Sequence, residues 1–168
     1  MTAFVVRDAT AADAARVAEV ARASWTDTYR DIFDPAFIEE FLATNYRVED
    51  LAAGASRAAE LEDRHFLVAV SAGQVIAFAQ FGVGPRGPQL FRIYADPAHY
   101  GSGAGHALLQ ELHRRIEGQF ESYVLDVHSR NERGLAFYRR QGFVVAGEGK
   151  SPDCHLMLRR ELRRPDGE

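Results

Sequence analysis

The sequence predicts one α/β domain in which helices pack in layers on a mixed β-sheet. Its length of 168 residues suits a single domain of ordinary size. Hydrophobic residues make up 46% of the chain and charged residues 26%, which is typical of a globular protein. Strand-like and helix-like periodicities alternate along the chain, and a strand–helix–strand crossover implies some parallel pairing within the sheet.

The N-terminal third predicts one strand followed by three helices. The strand is the run AFVVRDA. A capping-box pattern, Thr10 with Asp13, then begins a helix whose apolar residues recur every three or four positions. Asp34 and Pro35 begin a second helix, and the alanine-rich segment 48–63 predicts a third.

The remainder of the chain predicts six strands and two helices. Ala72 and Gly73 separate two strand-like runs, which indicates a tight hairpin. The following segment GVGPRGPQ predicts a flexible loop, and RRELRRPDGE at the end predicts a solvated tail. In chain order, the predicted elements are the strands HFLVAVS, QVIAFAQFGV and QLFRIYA, the helix AGHALLQELHRRIEG, the strand SYVLDVHS, the helix NERGLAFYRRQGF, and the strands FVVAGE and CHLML.

Charge and cysteine content argue against several classes of protein. Twenty Lys and Arg against 24 Asp and Glu give a net charge of −4, which disfavours nucleic acid or an anionic membrane as a partner. The single cysteine, Cys154, excludes an intrachain disulfide framework and fits a reducing compartment. Without a signal-peptide pattern or a membrane-length apolar run, a cytoplasmic protein is expected. We expect no metal site, because no residue cluster has metal-ligand spacing.

A glycine-rich turn, YGSGAG, lies between the strand QLFRIYA and the helix after it. Gly101, Gly103 and Gly105 permit positive φ and a close approach of the backbone to a ligand. Successive N–H groups at a helix start predict a phosphate or pyrophosphate site. The turn is neither a Walker A loop nor a Rossmann turn, and the alternative is a turn that merely begins a helix.

Together with the downstream run LDVHSRNERGLAFYRRQGF, this turn resembles the GCN5-related N-acetyltransferases, the GNAT superfamily. The family signature Gln/Arg-x-x-Gly-x-Gly/Ala falls on residues 100–105, where Tyr100 replaces the Gln or Arg that contacts the pyrophosphate in most relatives. A second signature falls on Asn131, Ala136, Phe137, Tyr138, Gly142 and Phe143.

The resemblance implies a mostly antiparallel sheet of about seven strands, flanked by helices on both faces, with the fourth and fifth strands splayed apart. Acetyl-CoA is the implied co-substrate, wedged between those strands. The backbone of Ile93, Tyr94 and Ala95 would bind the pantetheine, and Asn131 would contact the same arm. The residues implied around the pyrophosphate are Gly101, Ser102, Gly103, Ala104, Gly105 and His106.

The resemblance also implies that Tyr138 points its hydroxyl at the thioester sulfur, where a phenol can stabilise or protonate a leaving thiolate. The alternative is a core aromatic. An amine is mostly protonated at neutral pH, so a base is needed. Strand alternation puts Asp126 and His128 on one face, and Asp126 is the first candidate base with His128 as the second. Alternatively, Asp126 orders water or pairs with an arginine, and a water chain removes the proton.

The resemblance implies that acceptor specificity comes largely from the first two helices and from the loops near the last strands. Trp25 and Tyr29 are predicted to bind the acceptor, and their spacing looks like that of the PaiA-type spermidine/spermine acetyltransferases. Phe33 and Tyr46 extend this aromatic set, and nearby acids could attract a cation, namely Asp27, Asp31, Glu39 and Glu40. The alternative is that the aromatics pack the core and the acids form a solvated helix face. A small polyamine is the leading acceptor, with peptide N-termini, lysine side chains and drug-like amines open.

We therefore predict that residues 1–168 form a single N-acetyltransferase domain that moves an acetyl group from acetyl-CoA to a primary amine. A catalytically silent acyl-CoA sensor, a protein or peptide N-acetyltransferase and a cofactor-free interaction module are the alternatives. A homodimer is left open.

Overall fold

A computed structural model describes residues 3–150 and 154–162. Within them the chain forms seven β-strands in one sheet, with five α-helices and short 3-10 turns before α1 and α4. The strands are β1 (Val5–Asp8), β2 (His65–Ser71), β3 (Gln74–Gly84), β4 (Gly87–Ala95), β5 (Ser122–His128), β6 (Val144–Glu148) and β7 (His155–Glu161). The helices are α1 (Ala14–Tyr29), α2 (Pro35–Asn45), α3 (Val48–Glu60), α4 (Ala104–Ile116) and α5 (Glu132–Arg140).

The sheet has the strand order β1-β2-β3-β4-β5-β7-β6, and every neighbouring pair is antiparallel except β4 with β5. The parallel pair follows from the crossover through α4, because a helix between two strands returns the chain in the same direction. This mixed sheet confirms the predicted fold class. Among the described residues, no helix combines the length and the apolar character needed to cross a membrane.

Helices cover both faces of the sheet, and each face has its own hydrophobic core. Alternation along β2 divides the two cores, since Leu67 packs with α4 and α5 whereas Phe66 and Val68 pack with α1, α2 and α3. The predicted apolar stripe of α4 is buried as expected, with Leu108 and Leu112 no more than 1% exposed. The two-sided cover fixes which strand residues face each helical layer.

Local sequence signals set the ends of several elements. The Asp13 carboxylate accepts the Thr10 amide at 2.8 Å, although a 3-10 turn precedes α1 at this cap. The Asp34 carboxylate accepts the Ala36 amide at 2.9 Å and begins α2. The β2–β3 hairpin turns at Ala72, as predicted, in the left-handed conformation that such two-residue turns require.

The segment GVGPRGPQ was expected to be a flexible loop, and this prediction is wrong. β3 extends to Gly84 and β4 begins at Gly87, so only two residues form the turn. Gly82 serves close packing, because a Cβ on it would lie 3.1 Å from the ring of Phe91, whereas Gly87 has a φ of 93° that glycine tolerates. The turn therefore holds Arg86 in a defined position.

The C-terminal segment also differs from its prediction as a tail. β7 extends to Glu161 and pairs with both β5 and β6. Residues 163–168 of the predicted tail lie outside the described residues.

The pairing between β4 and β5 is nearly absent. Only Gln89 and Val124 are in register, and beyond them the two strands diverge. This opening confirms the expected splay, and it leaves the C-terminal ends of both strands facing a cleft.

Candidate active site

Two adjoining cavities occupy the open part of the sheet. The first, here called the glycine-loop cleft, has a volume of about 360 Å³ and lies between β4, β5, α4 and α5. The second, here called the aromatic cavity, has a volume of about 660 Å³ and lies beside α1, α2 and the sheet. Tyr29, Tyr94 and Asp126 line both, so the cavities meet at these three side chains.

The diverging strands form one wall of the glycine-loop cleft. Ile93, Tyr94 and Ala95 line it, and on this side they have no pairing with β5. Their backbone groups on the β5 side are therefore available to an extended ligand, as a further strand would use them.

The glycine-rich turn forms the end of the same cleft. Gly101 has φ of 77° and Gly103 has φ of 92°, in the left-handed region that glycine tolerates. Among the described residues, the amides of Gly101, Gly103, Gly105 and His106 donate to no acceptor. Free amides at the start of α4 form an anion site, so the turn fits the phosphates of a coenzyme A molecule.

Most of the residues predicted at the cofactor site line the cleft. Ser102 is an exception and does not line the cleft; its Oγ accepts from the Ala104 amide at 3.4 Å, at the start of α4. The predicted residues found in the lining are Ile93, Tyr94, Ala95, Gly101, Gly103, Ala104, Gly105, His106, Asn131 and Tyr138.

Tyr100, at the usual Gln or Arg position, also lines the cleft. Its hydroxyl lies 3.5 Å from Ser24 Oγ on α1, and the Arg133 guanidinium lies 4.1 Å above its ring. Arg133 also pairs with Asp27 at 3.0 Å and lines the cleft itself. The Arg133 guanidinium on α5 therefore lies beside Tyr100, the position at which most relatives carry a Gln or Arg in the turn itself.

The start of α5 places the predicted residue Asn131 in the cleft. Asn131 caps this helix by accepting the Gly134 amide at 2.9 Å, and its side chain also interacts with the Tyr29 hydroxyl. A Cβ on Gly134 would lie 2.6 Å from Asn131 Nδ2, so a larger residue at position 134 would shift the Asn131 side chain. These contacts fix Asn131 against the cleft wall.

Tyr138 lies two turns further along α5. Burial raises the pKa of its hydroxyl, and the neighbouring Tyr94 and Tyr29 add to this shift. Its hydroxyl makes no hydrogen bond to any described residue. Tyr138 is therefore a neutral phenol at physiological pH, and its proton is available to a ligand in the cleft.

Asp126 lies where the two cavities meet, and it is held by an arginine. Arg86 from the β3–β4 turn donates to both carboxylate oxygens, at 3.0 Å and 2.5 Å. The carboxylate is only 8% exposed. The ion pair satisfies one lone pair on each oxygen and leaves the others to a further donor.

His128 shares this strand face, as alternation predicts, and lines the aromatic cavity. Burial lowers its pKa, with smaller contributions from His155 and Arg130. The Arg130 amide donates to Nδ1 at 3.1 Å, so the neutral ring carries its proton on Nε2. In this tautomer the Nε2 atom donates and cannot accept a proton.

Aromatic side chains from α1 and α2 form one wall of the aromatic cavity. Trp25 stacks on Phe41 with ring centroids 4.2 Å apart, and Tyr29 packs against Phe33 at 5.3 Å. The side chains predicted for this pocket, Trp25, Tyr29, Phe33 and Tyr46, all line it. The same rings also form part of the α1–α3 core, so they line the cavity and pack the core at once.

The prediction that acidic residues of α1 and α2 surround the aromatic cavity is wrong, because the structure places these residues elsewhere. Asp27 pairs with Arg30 and with Arg133 beside the glycine-loop cleft, and Glu39 pairs with Arg22 on the exposed surface. None of the four predicted acids, Asp27, Asp31, Glu39 and Glu40, lines the aromatic cavity. A helical repeat in the sequence does not say which side of the helix meets a cavity.

Sequence reasoning missed the polar residues that the sheet contributes to this cavity. Gln80 and Arg92 face each other across β3 and β4, and Arg64 precedes β2. Arg92 lies two residues before Tyr94, so alternation along QLFRIYA could have found it. Within residues 3–150 and 154–162, no group of three His, Cys, Asp or Glu side chains is placed to hold a metal ion.

The splayed strands, the free amides of the turn and the tyrosine on α5 define a coenzyme A-dependent acyltransferase site. A family model described as an acetyltransferase (GNAT) domain matches residues 62–145, and the chain belongs to this family.

Its relatives include acetyltransferases of named activity. The chain is 30% identical to a spermidine N(1)-acetyltransferase of Thermoplasma acidophilum over 142 residues, which cover 83% of this chain and 88% of that protein. It is also similar to the crystal structure of PaiA N-acetyltransferase from Thermoplasma acidophilum in complex with coenzyme A. That comparison has a TM-score of 0.87 and 26% identity, and covers 95% of this chain and 99% of the other.

A GNAT-family acetyltransferase from Streptococcus pneumoniae shares the fold, with a TM-score of 0.74, 19% identity, and coverage of 96% and 100%. The predicted resemblance is confirmed, and the chain is an acetyl-CoA-dependent N-acetyltransferase.

Proposed function

We propose that this enzyme acetylates the primary amine of a small molecule where the aromatic cavity meets the glycine-loop cleft. The observation that carries this proposal is the shared lining of the two cavities by Tyr29, Tyr94 and Asp126. An amine entering from the aromatic cavity reaches the cleft at that point. Acetyl-CoA supplies the acetyl thioester, which the amine attacks directly.

The cleft residues hold the coenzyme in this proposal. The free amides of Gly101, Gly103, Gly105 and His106 bind the pyrophosphate, supported by the start of α4. The unpaired backbone of residues 93–95 and the side chain of Asn131 bind the pantetheine arm.

Tyr138 donates a proton and Asp126 accepts one in this proposal. The Tyr138 hydroxyl donates to the leaving thiolate, which fits its neutral state and its lack of a partner among the described residues. Asp126 accepts a proton from the bound ammonium, and the neutral amine that results attacks the thioester; Arg86 fixes the carboxylate. His128 is a weaker candidate, because its Nε2 atom carries the proton.

The acceptor is a small amine. A polyamine is supported by the name of the Thermoplasma acidophilum relative, a spermidine N(1)-acetyltransferase. The aromatic wall of Trp25, Phe33 and Phe41 suits either an organic cation or an apolar body. The charges that line the cavity distinguish a cationic acceptor from one with an apolar body.

Calorimetric titration with acetyl-CoA, followed by release of free thiol in the presence of amines, tests the proposal. We expect micromolar binding and amine-dependent thiol release. A folded protein that binds no acetyl-CoA would refute the proposal. Tight binding without turnover on any amine would instead identify an acyl-CoA sensor.

Asp126→Asn is expected to lower the rate and to flatten the acidic limb of the pH–rate profile. The amide cannot take the proton from the ammonium, and it keeps the size of the side chain. The measurement is kcat/KM for the best amine between acidic and neutral pH. Asp31→Asn, which removes an exposed carboxylate outside both cavities, is the control. An unaltered profile in Asp126→Asn would assign proton removal to a water chain.

A further inference from the structure

The polar lining of the aromatic cavity has an excess of positive charge. Its described residues include three cations, Arg64, Arg92 and Lys150, and a single carboxylate, Asp126. The two arginines are partly buried, so solvent screens their charges less than those of surface groups. This balance is the opposite of what a polycationic ligand requires.

The one carboxylate does not offset these cations. Arg86 donates to both oxygens of Asp126, so the pair has no net charge. With this pair set aside, the described walls of the cavity carry only positive charges.

Arg92 interacts only with neutral groups. Its guanidinium lies 4.1 Å from the centre of the Tyr46 ring, and it donates to Gln80 Oε1 at 3.1 Å and to the Asn45 carbonyl at 2.8 Å. These contacts fix the group without neutralising it. Arg64 forms no ion pair with any residue in the described part of the chain.

We propose that the acceptor is an amine with a carboxylate at its far end and an apolar, preferably aromatic, body between the two groups. This inference rests on the proposed function. The amine lies at Asp126 and Tyr94, the body packs on the rings of Trp25 and Phe41, and the carboxylate faces Arg92 and Arg64. Arg92 and Tyr94 are two residues apart on one strand face, about 7 Å. A polyamine would instead bring its distal ammonium towards two arginines.

Three primary amines of one shape test the proposal. para-(Aminomethyl)benzoate, benzylamine and para-xylylenediamine share the ring and the reacting aminomethyl group, and differ only in the para substituent, which is a carboxylate, a hydrogen or a protonated aminomethyl group. We expect kcat/KM to fall in that order, with about tenfold or more between the first and the last. Spermidine is measured beside them. Higher kcat/KM for para-xylylenediamine or spermidine than for the carboxylate would overturn the proposal.

Variants of Arg92 and Arg64 test whether these residues produce the preference for the carboxylate substrate. Arg92→Gln should lower kcat/KM for para-(aminomethyl)benzoate about ten- to hundredfold, with benzylamine changed by less than about threefold. Arg64→Gln, which removes no described contact, should act in the same direction. Arg57→Gln on the exposed side of α3 is the matched control and should change neither substrate. An equal loss on both substrates in Arg92→Gln and Arg64→Gln would contradict the assignment.

A binding measurement separates this proposal from the proposed function. Calorimetry of the three amines with the coenzyme A-saturated protein should give the tightest binding for the carboxylate, whether or not turnover occurs. Thiol release with any amine would uphold the proposed function even if the diamine binds best. Absence of acetyl-CoA binding would refute the proposed function on its own.

Discussion

Gly103→Val is expected to abolish acetyl-CoA binding while the protein stays folded. Gly103 has φ of 92° at the start of α4, a conformation that a β-branched residue tolerates poorly. The strain is also expected to displace the neighbouring free amides of the turn, which are the proposed phosphate donors. Calorimetric titration should show no heat of binding at acetyl-CoA concentrations that saturate the wild-type protein.

Gly73→Val is the matched control for this loss. Gly73 has φ of 77° in the β2–β3 turn, and a Cβ there would meet nothing within 4 Å. The control carries the same kind of backbone strain at a turn remote from both cavities, about 1–2 kcal/mol. It should lower the thermal midpoint and leave acetyl-CoA binding intact. Normal binding by Gly103→Val would remove the glycine-rich turn from the coenzyme site.

Tyr138→Phe is expected to lower kcat by one to two orders of magnitude. The variant keeps the ring that packs against Phe137 and Phe143 and removes only the hydroxyl. Loss of a general acid typically has an effect of about this size. Because the hydroxyl bonds to no described residue, its removal should cost little stability. Steady-state kinetics with saturating acetyl-CoA give the change in kcat.

Tyr123→Phe distinguishes catalysis from a general effect of losing a buried phenol. The Tyr123 hydroxyl bonds to His113 Nε2 at 2.8 Å in the core and lies outside both cavities. We expect this variant to lose about 1 kcal/mol of stability and to keep its kcat. If Tyr138→Phe retains the wild-type kcat, the thiolate is protonated by another group.

Local patterns predicted those features of the fold that depend on neighbouring residues. Alternation in SYVLDVHS put Asp126 and His128 on one face, and both line the aromatic cavity. The apolar spacing of α4 and the cap of Asp34 were likewise confirmed. Periodicity and capping act within a few residues, so the sequence alone carries them.

Features that depend on distant contacts could not be predicted in this way. The pairing of Arg86 with Asp126 joins residues 40 positions apart, and it depends on a hairpin whose glycines suggested a loop. The acids of α1 and α2 were expected at the cavity, but the orientation of these helices on the sheet turns Asp27 and Glu39 towards arginines outside the aromatic cavity. The charge of the cavity follows from that orientation and from Arg92 on β4.

The divergence of β4 from β5 gives this sheet two interior edges in addition to its outer ones. An unpaired strand edge normally invites association with another chain. Here the edges open into a cleft walled by α1, α4 and α5, so helices cover the side from which a foreign strand would approach. The fold thereby keeps backbone donors and acceptors ready for a slender ligand without exposing them to aggregation.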